Sequence, residues 1–327
     1  GEAEESGGME EATGEAERDY PAVIKGLWEP MLNPESLHQW AGELHSLGVN
    51  TLHVLVNLDE SYQEYISTPM GAIRGDEAVR AYETLIDAVK GENFSVVVIL
   101  EYAVVTDPSK PPSKRVEDVD AFLSALKELA PKWAEIAERH QVEFFSPINE
   151  LDQILMESGL KPEEILKCEE DFYSTVIPAV RERFSGLIYC KLGSLHWSYD
   201  FPAGEGCDLI GVILTIERED MTAEEFREAV RRQLSKAQEI AGELDVPWIV
   251  GECFIPSRAV EMHGHTPGEY YRIVEEELRI VDHKPSGFTF MGWDNPIAPV
   301  KGTDAEEVVK LILSELESYA IPLSSVD

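Results

Sequence analysis

Glu150, in the segment FSPINELD, and Glu252, in WIVGECF, each close a short apolar stretch. A carboxyl at the end of a strand is held by rigid backbone and still opens onto a loop, where reacting residues concentrate. Two such carboxyls facing one pocket can divide the cleavage of a glycosidic bond, one as proton donor and the other as nucleophile. A retaining pair stands about 5–5.5 Å apart and an inverting pair about 6.5–9.5 Å. In a chain with 63 acidic residues, either glutamate alone carries little weight. Their company carries more. Asn149, Trp28, Asn57, Glu101, Tyr102, His196, Trp197, Trp293 and Asp294 also fall at or just beyond the ends of predicted strands. Aromatic faces stack on sugar rings and carboxylates accept from hydroxyls, so this set suits an uncharged carbohydrate.

The elements that must hold these residues alternate. Strands are predicted at 22–28, 51–58, 94–102, 142–148, 187–192, 208–216, 247–254 and 288–293. The third reads as an almost continuous apolar run, as a parallel strand covered on both faces does. Helices are predicted between them. Ala78, Tyr82, Leu85 and Val89 recur on one face of the second, and Phe122, Leu126, Trp133 and Ile136 on one face of the third. Asn33-Pro34, Thr222 with Glu225, Thr266-Pro267 with Glu269, and Thr303 with Glu306 read as helix starts. The crossover 193–206 shows no helical period.

Eight strand–helix units predict an α/β fold, a single (β/α)8 TIM barrel over 20–327. No G-x-G-x-x-G follows the first strand, which argues against an open dinucleotide-binding sheet. In a barrel of this kind, reactive groups gather where strands run into the following loops. The loops 59–75, 103–116 and 255–266 are the longer ones, which favours a cleft and action within a chain.

Charge narrows the partners. The formal net charge of −36 argues against nucleic acid or an anionic membrane surface. No apolar run approaches the roughly 20 residues that span a bilayer. Residues 1–19 hold eight acids and one base and read as a disordered spacer, which suits an extracellular or surface-attached protein. The rest of the excess belongs to the barrel. No CxxC exists among the four cysteines; Cys190 and Cys207 lie on neighbouring segments, so they either pair or remain buried thiols. His263 and His265 lack a third ligand and read as part of a loop. Trp133 and Trp248 read as core. No metal or cofactor is expected, and the chain reads as a monomer.

These residues carry a resemblance. The chain resembles the large clan of retaining (β/α)8 glycoside hydrolases that includes cellulases, β-mannanases, β-galactanases and β-glycosidases. Asn149-Glu150 matches the clan's Asn-Glu after strand four, Glu252 its glutamate after strand seven, and Trp293 in FTFMGWDNP its strand-eight tryptophan. The resemblance implies that Glu150 is the acid/base, that Glu252 is the nucleophile, that Asn149 binds the 2-hydroxyl and that Trp293 floors the sugar site. It implies double displacement on a β-mannan or β-glucan type of substrate. As an acid, Glu150 would need a carboxyl that stays protonated near neutrality. Many members carry a Tyr on the sixth strand and an Arg on the second, where this chain has Thr215 with Glu217 and His53 with Asn57. The other reading is a silent carbohydrate-binding barrel or a tethered solute-binding protein.

Overall fold

The structure, a computed structural model, describes residues 18–68, 71–104, 113–202, 206–218, 220–320 and 322–323. The expected spacer over 1–19 falls outside the described residues except at its end. There Arg18 Nε donates to the Val142 carbonyl at 2.8 Å, and its guanidinium lies 5.2 Å from the Phe184 ring. Folded contacts therefore begin ahead of the boundary at residue 20.

Parallel strands close a barrel in the order β1 (Ile24–Trp28), β2 (Thr51–Leu58), β5 (Ser95–Tyr102), β6 (Phe144–Ser146), β7 (Leu187–Lys191), β8 (Leu209–Thr215), β9 (Trp248–Phe254) and β10 (Gly287–Met291). Strand β10 pairs back onto β1, with Ile24 beside Gly287. Side chains alternate. Ile24, Trp28, Leu55, Val97, Ile99, Phe144, Tyr189, Leu209 and Ile249 fill the interior. Leu52, Val54, Val56, Val96, Val98 and Leu100 join the larger core with the helices. Both faces are thus buried, which is why these strands read as apolar runs.

The helices begin where the capping signals place them. Asn33 opens α1 (Pro34–Leu47), Thr222 opens α6 (Ala223–Leu244), and Thr266 opens α8 (Pro267–Ile280), each as a reciprocal capping box. The last start differs. Asp304 caps α9 (Ala305–Tyr319) without a side-chain bond, and Thr303 Oγ1 accepts instead from Ala305 N at 3.2 Å. Helices α2 (Gly75–Gly91), α3 (Val119–Arg139) and α5 (Pro162–Arg181) lie between the strands, as predicted. Trp133 and Trp248 are buried, as expected of core residues.

Several pieces depart from the expected pattern. The loop 59–75 contains an antiparallel hairpin, β3 (Tyr65–Thr68) and β4 (Gly71–Arg74). Short helices α4 (Leu151–Glu157) and α7 (Ser257–Glu261) follow β6 and β9, and a 3-10 turn spans Ser194–Trp197. Strand β6 is shorter than expected because Pro147 cannot donate and restricts Ser146. The four cysteines are free thiols, so Cys190 and Cys207 do not pair. Among the described residues no helix is long and apolar enough to cross a membrane.

Strand β9 carries one extra residue. Val250 pairs with Val212 and Phe288, whereas Cys253 pairs with Leu214 and Phe290. Both neighbours advance two positions while β9 advances three, so Gly251–Glu252 form a bulge. A bulge reverses the alternation beyond it. Ile249 faces the interior, yet Cys253 joins the outer core, and Glu252 takes the inward place between them. Gly251 must be glycine there. A Cβ would stand 2.1 Å from Tyr189 Oη and 3.0 Å from Lys191 Cδ. Gly251→Ala is expected to lower stability by about 1–3 kcal/mol through overpacking. Urea unfolding checks this, and an unchanged midpoint would contradict it.

Candidate active site

At the C-terminal ends of the strands, three carboxyls and two ammonium groups meet. Glu101 is the penultimate residue of β5, one before Tyr102. Beyond the short β6, backbone bonds from Asn149 N to Leu100 O at 2.8 Å and from Glu150 N to Lys191 O at 3.2 Å carry the chain between its neighbours. Glu150 then adopts φ 48° and ψ 58°, the left-handed region, and caps α4. A glutamate in that conformation is strained, and such strain is common where a reactive group must be aimed. Glu252 arrives through the β9 bulge.

Lys191, the last residue of β7, lies between the two. Its Nζ is 2.7 Å from Glu150 Oε1 and 3.2 Å from Glu252 Oε2, and Trp28 presents its ring 5.3 Å away. Lys114 Nζ approaches from the loop before α3, 2.9 Å from Glu150 Oε2 and 3.4 Å from Glu101 Oε1. Asn149 Nδ2 donates to Glu101 Oε2, which leaves the buried Asn149 Oδ1 without a partner. Glu150 and Glu252 retain 6% and 7% of their exposure, and Lys191 none, so the pair lies at the bottom of the mouth.

The two carboxyls differ electrically. Burial pushes Glu150 up, but Lys114 and Lys191 outweigh it and hold it down at about 2. Burial raises Glu252; Lys191 pulls it back, and the charge of Glu150 pushes it further up. Glu101 is raised by burial against the pull of Lys114. Both lysines are raised by their carboxylates in spite of burial, so both are cations at neutral pH. As pH falls, the first proton goes to Glu101 or Glu252. The raised carboxyl that an acid role for Glu150 requires is therefore absent from this state; two ammonium groups favour its ionised form.

Of the residues expected around the pair, the structure brings Asn149, Glu101 and Trp28 to it. The others make different contacts. Trp293 does not floor the mouth: its Nε1 donates to Glu43 on α1 at 3.3 Å, and Lys301 Nζ lies 5.9 Å from its ring. Tyr102 points outward against Tyr62 and the Phe122 of α3, because it follows the inward Glu101 by one residue. Asn57 stands beside Glu101 in the β2–β5 register, and its amide donates to Tyr82 Oη at 3.2 Å. Asp294 is exposed in the loop after β10. Trp197 is half-buried, with its indole N–H unpartnered. Glu217 turns to the Gln233 of α6 at 3.2 Å. His265 pairs with Glu269 at the start of α8 at 2.9 Å.

His196 is also away from the mouth, buried against α5. Its Nε2 meets Glu169 Oε2 at 3.1 Å and its Nδ1 meets the Tyr199 carbonyl at 3.1 Å. Asp152 lies close by and accepts from Gly193 N at 2.8 Å and Leu195 N at 3.0 Å. These contacts fasten the 3-10 turn. Burial lowers His196, but Glu169 reverses this and raises it to about 9; burial raises Glu169 to about 7 against the pull of His196. A group whose folded pKa is raised stabilises the fold below its unfolded pKa and loses that contribution as pH climbs through the folded one. Stability is therefore expected to fall between about pH 7 and pH 9. His196→Gln should flatten that fall and cost about 1–3 kcal/mol at neutral pH, since Glu169 loses the cation it bonds and stays buried as a protonated carboxyl. Thermal melts across this range check it; an identical slope in the variant would refute it.

Lys114 and Lys191 are the residues that sequence reasoning missed. Lys191 had a signal: it stands two positions after Tyr189 on a strand whose alternate residues face inward. Lys114 had none, because its loop has no period.

No protein-family model and no curated protein sequence matches the chain. Solved structures do. A GH113 β-1,4-mannanase superposes with a TM-score of 0.61 at 16% identity, covering 90% of this chain and 99% of the other. A structure described as an endoglucanase gives 0.64 at 11% identity, covering 90% and 98%. The endo-β-1,4-mannanase from Thermotoga petrophila gives 0.61 at 11% identity, covering 90% and 76%. The chain thus has the single (β/α)8 barrel fold of these glycoside hydrolases, over nine-tenths of its length.

Proposed function

We propose that this chain is a glycoside hydrolase that cleaves β-linked neutral polysaccharide or oligosaccharide, of the β-mannan or β-glucan type, within the chain and with retention. The observation that carries this is the meeting of Glu150 and Glu252 on one ammonium nitrogen. Their nearest oxygens are closer to each other than the sum of 2.7 and 3.2 Å. That favours the separation of about 5–5.5 Å in retaining pairs over the about 6.5–9.5 Å that admits a water. Mannanases and an endoglucanase among the structures of like fold support the substrate class.

The roles follow the strand order. Glu252 attacks the anomeric carbon, and Glu150 donates to the leaving oxygen and later takes a proton from water. At rest Glu150 is ionised, so sugar entry must part it from a lysine. Lys114 is the one within reach, its side chain 18% exposed against none for Lys191. With that cation gone, the Glu150 carboxyl rises and can take up the proton. Asn149 Oδ1, buried and unpartnered, is free to accept from a sugar hydroxyl.

Release of reducing ends from mannan, glucan, galactan and xylan tests the reading. Cleavage of mannan or glucan is the expected result, and no cleavage of any of the four would reject it. A silent sugar-binding barrel is the second reading, favoured by the two ammonium groups that oppose protonation of Glu150. Oligosaccharide binding without turnover would establish it.

A further inference from the structure

We propose that Lys191 is the positioning residue of the carboxylate pair: one buried ammonium holds Glu150 and Glu252 on a common centre and offsets the repulsion between them. The proposal rests on the reading of this site as a glycosidase. Among the described residues, Lys191 alone donates to Glu252, and it is also the closer of the two lysines to Glu150. Two carboxylates this close repel, and a cation between them removes that repulsion. Its position is built. The Lys191 stem runs past Gly251, where a Cβ would stand 3.0 Å from its Cδ. The Trp28 ring closes the remaining side at 5.3 Å.

Glu150 faces Lys191 from the start of α4, Glu252 from β9 and Lys114 from the loop before α3, where Lys114 also meets Glu101 of β5. His53 and Tyr189 lie in the barrel interior, and their rings stand 6.3 Å apart. Burial, then the charge of Lys191, lowers His53 to about 3, so it adds no second cation. Tyr189 is raised well above its usual range by burial and stays neutral. Among the described residues, Lys114 is the other cation at this cluster, and its bonds go to Glu150 and Glu101, whereas Lys191 bonds both Glu150 and Glu252.

Lys191→Met and Lys191→Arg in the full chain, with 13C-labelled glutamate, test this by NMR titration. The titrations of Glu150 and Glu252 should both move upward in Lys191→Met, by about 1–3 pH units. Lys191→Arg should hold them near the parent positions. The sign for activity follows. Raised carboxyls ionise at higher pH, so both limbs of the kcat/KM profile should move to alkaline pH, with kcat falling more than KM rises. A purely structural lysine would lower stability and leave the midpoints in place, and folded Lys191→Met with unmoved midpoints would overturn the proposal. Should Lys191→Met not fold, the 15N-lysine spectrum of the unaltered chain decides. A protected Lys191 ammonium at pH 8 is required, and a neutral amine would overturn the proposal. If the unaltered chain cleaves no glycan, the proposed function fails, while the titrations still judge Lys191.

Discussion

Glu252→Ala is expected to lower kcat for glycan hydrolysis by about 10⁴–10⁶-fold, the range seen when a nucleophile is removed while binding groups remain. The reason lies in the β9 bulge. It gives Glu252 an inward place, while Cys253 beyond it faces the outer core. The alanine also leaves space beside the anomeric carbon. Azide should enter that space and yield a glycosyl azide of inverted configuration, which identifies the missing group as the nucleophile. Loss of turnover without azide rescue would point to a structural role, and undiminished turnover would remove Glu252 from the mechanism. Folding is checked by the same urea midpoint used for Gly251→Ala.

Glu150→Gln should cost about 10²–10⁴-fold on natural glycans, the usual worth of general acid–base catalysis. The loss should depend on the leaving group. An aryl glycoside whose phenol departs without a proton needs no acid in the first step. Its bond cleavage should therefore stay close to that of the parent, with slow breakdown of the glycosyl-enzyme following. A burst of phenol then precedes a low steady state. Glutamine keeps the shape of Glu150 but withdraws its charge from Lys114 and Lys191, which leaves two cations facing Glu101 and Glu252. The pH profile of the variant should shift to the acidic side, because both remaining carboxyls ionise more easily. Equal losses on activated and natural substrates would assign Glu150 to binding.

The barrel was legible because buried parallel strands write themselves as apolar runs, and capping boxes such as Thr222 with Glu225 mark helix starts locally. That Glu150 and Glu252 come to one mouth was legible from the order of strands. Their surroundings were less so. Counting strand ends could not separate Glu101, which faces in, from Tyr102, which faces out one residue later. Trp293 stands at a strand end, but Gly292 takes a positive φ of 87° and the indole turns to Glu43 on α1. The extra residue in β9 left no trace in WIVGECF beyond its glycine. Lys114 reaches Glu150 across 36 residues of sequence from an aperiodic loop. The charge of the site is the largest revision. A mouth read as a gathering of acids has two ammonium groups, one buried and one partly exposed, set among three carboxyls.

Proton NMR during digestion of a β-1,4-linked manno- or gluco-oligosaccharide tests the central claim most directly. Retaining cleavage by Glu150 and Glu252 predicts that the β-anomer of the new reducing end appears first and mutarotates afterwards. The α-anomer appearing first, or no new reducing end at all, would contradict it.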